Sequence, residues 1–315
     1  MIGAAPAASP VTSRRRNRRA WRRNAEGWLY ASPWIAGFLL FTVGPMLAAA
    51  FLSLSDWNLL TPPRFVGLAN FRQLITADPL LWQSLKVTSI FAVVAVLLSV
   101  AIGMFLALLL NAPIRGLRWY RTGFYLPSVL SGVAVALLWS WLFSPDLGLL
   151  NYALDKVGIH GPDWLGQPGW ALPALIIMHL WGVGSGAVIY LAGLQGIPTE
   201  LYEAAQMDGA GVWRRFRSVT LPLMTPVLFF QVVVGIIGAL QTFTQAYVMT
   251  SGGPNNATLF FVLYLYQNAF QYFRMGYAAA LAWVLFAYIL ALTIVVFRSS
   301  SFWVYYEGQL EGGKR

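Results

Sequence analysis

Residues 87–110 read VTSIFAVVAVLLSVAIGMFLALLL, 24 residues without a single Asp, Glu, Lys or Arg. At 1.5 Å of rise per residue, a helix over this run reaches about 36 Å, more than the ~30 Å hydrocarbon core of a bilayer. A buried helix of a soluble core has no use for so long an apolar run, so the stretch predicts a transmembrane helix. Five more charge-free segments of similar length surround it, at 28–53, 123–143, 170–194, 222–249 and 277–297. Pro33, Pro45, Pro127, Pro173 and Pro226 fall near their ends or where a kink is tolerable. The whole chain agrees: 58% of its 315 residues are hydrophobic and only 10% charged, against about 25% in soluble proteins. That composition excludes a disordered chain, a nucleic-acid module and an ordinary cytosolic enzyme. The expectation is an all-α polytopic membrane protein with six transmembrane helices. It divides into a basic tail, 1–26, and a transmembrane domain, 27–315.

Charge placement orients the spans. Seven arginines crowd the tail: Arg14, Arg15, Arg16, Arg18, Arg19, Arg22 and Arg23. The loops expected on the same side add Arg115, Arg118, Arg121, Arg214, Arg215, Arg217, Arg298, Lys314 and Arg315. The opposite side holds only Arg64, Arg72, Lys86, Lys156 and Arg274. The positive-inside rule then puts both termini in the cytoplasm. The apolar stretch after the tail is too long for the ~7–15-residue core of a cleaved signal. The outer segment 144–169 is net acidic and rich in Pro, Gly and Trp, which predicts a compact cap. Without cysteine there is neither a disulfide framework nor a thiolate metal site.

Catalytic machinery is not evident. None of Lys86, Lys156 and Lys314 sits in a G-x-x-x-x-G-K-[ST] frame, so no phosphate cradle of that kind exists. His160 and His179 lie on different segments outside any H-E-x-x-H pattern. No catalytic and no metal-ligating residue is expected, and His179 weighs toward packing, with a pathway role kept open by its position inside a span. A coupled carrier usually places ionisable groups inside its spans; these spans hold no carboxylate. Neither a charged ring nor a T-V-G-Y-G-like filter marks a channel.

The densest polar segment is 197–222. Pro198 and Thr199 read as a helix start with Thr199 as N-cap, and Glu200 suits the first turn. Gly209 reads as the stop. A second short helix is expected over 212–219, and Pro222 then opens the fifth span. Glu203 sits outside the capping position and precedes the small Ala204 and Ala205. An amphipathic surface helix and a helix that meets a partner both satisfy this pattern.

Glu203-Ala204-Ala205, three residues, Gly209, nine residues, Val219-Thr220-Leu221-Pro222 resembles the EAA signature of ABC-importer permeases, E-A-A-x3-G-x9-I-x-L-P, with Val219 in place of Ile. Asp208, Ala210, Phe216 and Pro226 look like its sugar-importer version. Phe65-Val66-Gly67-Leu68-Ala69-Asn70-Phe71, Asp146-Leu147-Gly148-Leu149-Leu150-Asn151 and Gly252-Gly253-Pro254 extend the likeness to MalF/UgpA-type permeases of carbohydrate uptake. Six spans are expected here, whereas the maltose-system subunit has extra N-terminal helices and a large periplasmic domain. The resemblance implies the type I importer permease fold in a bacterial or archaeal inner membrane. It implies half of an alternating-access path for a sugar or sugar-like solute, and a transport subunit rather than an enzyme. Implied partners are a second homologous permease, a cytoplasmic ATPase dimer that carries ATP and Mg, an extracytoplasmic solute-binding protein and membrane lipid, but no nucleic acid. Glu203, Ala204, Ala205, Asp208, Gly209 and Pro222 would couple to the ATPase. The alternatives are a stand-alone carrier or channel, and a membrane enzyme on lipid-linked sugar using Glu200 and Glu203.

The solute path is read from the fifth span, where Gln231, Gly235, Gly238, Gln241 and Gln245 share one helical face. Three amides there need partners, and amides both donate to and accept from sugar hydroxyls. By the resemblance, Gln241 and Gly238 fall at solute-contacting positions, as do Gly182 and Ser185 in the fourth span. Gln241 is the leading contact, with Gln245, Gly238, Gly182 and Ser185 lining the path. Gly182, Gly184, Ser185, Gly186, Gly235 and Gly238 are expected to let a second subunit approach closely.

Overall fold

The computed structural model describes residues 13–112 and 115–305, with side chains from residue 26 onward. Lys314 and Arg315, used above for orientation, and residues 1–12 of the tail lie outside the described residues. Helices dominate, in the order α1 Ser13–Phe38, α2 Gly44–Ser53, α3 Ala69–Ala77, α4 Pro79–Leu110, α5 Leu117–Tyr125, α6 Gly132–Leu142 and α7 Leu149–Lys156. Then follow α8 Pro168–Trp181, α9 Gly184–Gln195, α10 Thr199–Met207, α11 Val212–Arg215, α12 Leu221–Leu240, α13 Phe261–Tyr266 and α14 Met275–Trp303. Two-residue strands, β1 Ser55–Asp56 and β2 Arg64–Phe65, pair antiparallel between α2 and α3.

Among the described residues, four helical stretches are long and apolar enough to cross a membrane: Glu26–Ser53, Pro79–Leu110, Val212–Leu240 and Met275–Trp303. Two bent pairs bring the number to six. Leu117–Val129 meets Gly132–Leu142 at 100°, and Pro168–Trp181 meets Gly184–Gln195 at 47°. The expected third and fourth spans are therefore broken rather than continuous, at Leu130-Ser131 and at Gly182-Val183. The first helix starts at Ser13, inside the segment assigned to the tail.

Two boundaries differ from expectation for local reasons. The second span begins at Pro79 rather than 87, because Asp78 caps it: Oδ1 accepts from the N–H groups of Leu80 and Leu81 at 2.9 and 3.2 Å. The fifth span begins at Val212, so the separate short helix expected over 212–219 is its first part and Pro222 opens nothing. Proline cannot donate to residue i−4 and its ring crowds that carbonyl. The chain answers by widening to a π-turn over Phe216–Thr220, where Leu221 N–H reaches Phe216 O. The same device stands before Pro45, at Leu39–Val43.

α4 is the central post, touching α8, α9, α12 and α13. Its buried Phe91 sits edge-on to Phe260 at 4.9 Å, beside Leu240 and Leu281. The core is tied by a few polar side chains. Thr88 Oγ1 accepts the Phe261 N–H at 2.8 Å, satisfying the open start of α13 from α4. Asp78 Oδ2 accepts the phenol hydroxyls of Tyr264, at 2.6 Å, and Tyr277. Asn70 donates to Ser53 O and Ser55 O, at 2.9 and 3.0 Å, pinning α3 beneath the strand pair. The loop after α6 folds into a cap on one amide: Asn151 donates to Pro145 O and Pro162 O and accepts from Trp164 Nε1 at 2.7 Å.

Candidate functional site

Two features of the fold can do work: the α10 loop at one end of the bundle, and a cavity among the broken helices. α10 runs over Thr199–Met207 with Pro198 rather than Thr199 at its N-cap and without a side-chain cap. Pro198 with ψ near 132° already holds the extended entry conformation, which moves Thr199 into the first turn. At the other end Gly209 takes φ +73°. Its N–H bonds to Gln206 O, and the next N–H, of Ala210, returns to Ala205 O, both at 2.9 Å. This is the Schellman closure, and it needs a residue at ease in the left-handed region.

One side of α10 is anchored. Tyr202 packs with Phe216, Val219 and Leu223 in the cluster around Met104, Ala107, Leu194 and Met224, and its hydroxyl is 3.0 Å from Thr220 Oγ1. The other side is free. Glu203, Ala204 and Asp208 are exposed, and Met207, Val212 and Trp213 expose 89%, 76% and 72% of their surface. No ion pair within 4 Å engages Glu203 among the described residues. A rigid knob is left, with small residues and a carboxylate ringed by apolar side chains, at the end where Arg214 and Arg217 are also exposed. Pro222 lies inside the continuous helix behind it, where it sets the π-turn rather than a free surface.

The cavity, of about 510 Å³, lies between α4, the α8–α9 break and α12. Gly182, Ser185, Gly238 and Gln245 line it, four of the five residues expected to form the path. Gln241 does not belong to the lining. α12 ends at Leu240, and Gln241 is its cap, with φ −100° and ψ 13°. The 3.6-residue register that put Gln241 beside Gly238 stops there, and its side chain is exposed. Gln245 returns to the cavity on the helical turn beyond the break.

Further polar groups reach the cavity. Gln231 was on the expected face but not among the chosen path residues. It lines the cavity opposite Gly186, where a Cβ would stand 2.8 Å from Gln231 Nε2. His179, which sequence weighed toward packing, both packs edge-on to Phe91 at 5.5 Å and lines the cavity. Ser99 Oγ is buried at the wall without a partner. Among the described residues, no Asp, Glu, Lys or Arg lines the cavity. Such a site offers neutral donors and acceptors and cannot compensate a desolvated charge.

Three of the glycines expected to face a second subunit are used internally. A Cβ at Gly184 would lie 1.8 Å from Phe124 O; one at Gly186 meets Gln231, and one at Gly235 meets Val96 at 3.2 Å. Gly238 has nothing within 4 Å of its Cβ position.

Residues 99–305 match the family model described as "binding-protein-dependent transport system inner membrane component". The chain is 44% identical to the probable ABC transporter permease protein YesP of Bacillus subtilis, over 94% of this chain and 97% of that protein. It is 37% identical to the lactose transport system permease protein LacF of Rhizobium radiobacter, over 91% and 97%. A solved structure, a bacterial alginate ABC transporter in complex with an alginate pentasaccharide-bound periplasmic protein, contains a similar chain. It superposes with a TM-score of 0.79 at 25% identity, covering 90% of this chain and 97% of that one.

Proposed function

The chain belongs to the family of binding-protein-dependent transport system inner membrane components, and from that premise we propose how its two features divide the work. It is a multi-pass, membrane-spanning permease subunit of a sugar-uptake ABC importer, a transport subunit and not an enzyme. In our reading the 510 Å³ cavity is this chain's half of the solute path, and Gln245, Ser185, Gly182 and Gly238 line it. Gln231 and His179 join them, and Gln241, exposed at the helix break, faces the complementary half. The cargo is a neutral, hydroxyl-rich solute. The observation that carries this reading is a charge-free, largely apolar lining into which Gln231, Gln245, Ser185 and His179 bring neutral polar groups; it can meet hydroxyl groups and penalises an ionic guest.

α10 then serves as the coupling element. Glu203, Ala204, Ala205, Asp208 and Gly209 meet a cytoplasmic ATPase dimer, which carries ATP and Mg, and Pro222 sets the helix behind them. This places the α10 end, with its arginines, in the cytoplasm. An extracytoplasmic solute-binding protein and a second permease complete the assembly.

Uptake by the reconstituted importer tests the path. Gln231→Ala and Gln245→Ala should each lower solute transport about two- to tenfold, the worth of a neutral hydrogen bond of ~0.5–1.5 kcal/mol, while basal ATP hydrolysis persists. Wild-type uptake in both variants would overturn the assignment. Transport that survives inactivation of the ATPase would restore the stand-alone carrier.

A further inference from the structure

Arg121 is a charge without a counter-charge. It sits on α5, and a guanidinium carries five N–H donors. Only Nη2 is engaged, 3.1 Å from Leu110 O at the end of α4. Nε is buried with no partner, and among the described residues no carboxylate lies within 4 Å. A half-buried cation left so is costly unless an anion joins it. The cavity beside it, about 270 Å³, has room for one and is walled by Gln195, Ala192 and Val188 of α9.

A second cavity of about 550 Å³ adjoins the first and shares Phe124 and Gly184 with it. Its walls are apolar: Ile102 and Leu106 of α4, Trp119 of α5, Leu180 and Trp181 of α8. The helix between the two cavities has an interfacial composition. It turns 100° from α6, its Trp119 and Tyr120 are 80% and 57% exposed, and Arg115 and Arg118 are exposed beside them. The site lies at the α10 end of the bundle, since Gln195 precedes α10 by four residues.

We propose that this pair of cavities is a binding site for one anionic phospholipid, its phosphate on Arg121 and an acyl chain in the groove between α4 and α5. Charge complementarity selects the occupant. The polar end offers an uncompensated guanidinium, whose fork suits phosphate oxygens, and the apolar end opens where lipid tails run. Bound there, the lipid braces α5 against α9, and Trp181 and Pro127 belong both to the groove and to the solute cavity.

The test uses the importer purified with its partner chains in mild detergent. Native mass spectrometry counts phosphatidylglycerol or phosphatidylcholine retained after addition of each. The wild-type complex should hold one phosphatidylglycerol in preference to phosphatidylcholine by about tenfold, because both present a phosphate but only phosphatidylcholine brings a choline cation, which offsets that charge beside the uncompensated guanidinium. Arg121→Gln should erase that preference. Leu106→Trp fills the groove while keeping the charge, and should also expel the lipid; it carries the test if Arg121→Gln fails to fold. Undiminished preference in either variant overturns the site. Displacement of the lipid by inorganic phosphate alone does so too, by making it a pocket for free anions.

Discussion

At the scale of single residues, a few hydrogen-bonding side chains hold elements that sequence places far apart. Thr88 is the clearest. It is fully buried, donates to Ser84 O within its own helix at 2.7 Å, and accepts the Phe261 N–H from another. Thr88→Val keeps the shape and removes the acceptor, leaving a buried amide N–H unpaired. The expected cost is about 1–3 kcal/mol, and Thr88→Ser should restore most of it. Thermal unfolding of the detergent-purified chain, followed by loss of the monodisperse peak, checks this; equal stability of all three proteins would refute it. Asp78 shows why such residues were illegible in part. Asp followed by Pro is a helix-start signal in plain sight, but Gln83, Ser84 and Lys86 interrupt the apolar run, so hydrophobic length alone starts the span eight residues late. The Tyr264 and Tyr277 hydroxyls that meet the other oxygen lie 186 and 199 residues away. No local pattern could pair them.

Breaks in helices, rather than the helices themselves, carry the functional detail at the scale of elements. The six apolar segments and the α10 loop with its Gly209 stop were legible, because hydrophobic length and glycine's conformational freedom are local properties. The bends at Leu130-Ser131 and Gly182-Val183 were not, because the charge-free length runs on through them and the Ser131-Gly132 and Gly182–Gly186 residues that mark them are equally compatible with close packing of a continuous helix. The same blindness misplaced Gln241: a face drawn through residues 231–245 assumes one register, and the register ends at Leu240. The π-turn before Pro222 was missed for the opposite reason, since proline reads as a boundary but the helix absorbs it. Gly209 remains the sharpest test of the coupling element. Gly209→Val forces a β-branched residue to φ +73°, where an L-residue pays about 1–2 kcal/mol. It should unseat the Schellman closure and abolish solute-stimulated ATP hydrolysis. Gly209→Asn, which tolerates the left-handed region, should retain it. Full stimulation in the valine variant would remove Gly209 from the coupling role.

At the scale of the whole molecule, the cavity proposed as the solute path is open on one side. Trp181, Ile189 and Val234 line the cavity yet remain 39%, 43% and 49% exposed, so the path needs a second wall. Sequence assigned that approach to a set of small residues, and the fold divides them. Gly184 lets α9 lie against the Phe124 carbonyl within this chain, while Gly238 opens onto free space. A pair of substitutions separates the two uses. Gly184→Leu drives a side chain into backbone, which cannot move out of the way cheaply, and should prevent folding and remove the chain from the membrane. A Cβ at Gly238 has no neighbour within 4 Å among the described residues, and the cavity beyond it has room for the rest of a leucine, so the Gly238→Leu permease should accumulate at its normal level. Its side chain nevertheless occupies the open face of the cavity, where, in the proposed assembly, a second permease and the solute would both have to fit. Co-purification of the second permease and solute uptake are the measurements. Normal accumulation of Gly238→Leu with either assembly or uptake lost is the expected result, because the added volume is harmless to one subunit and obstructive only to the pair. Normal assembly together with normal uptake would show that the face at Gly238 belongs neither to the path nor to the interface, and that the second wall stands elsewhere.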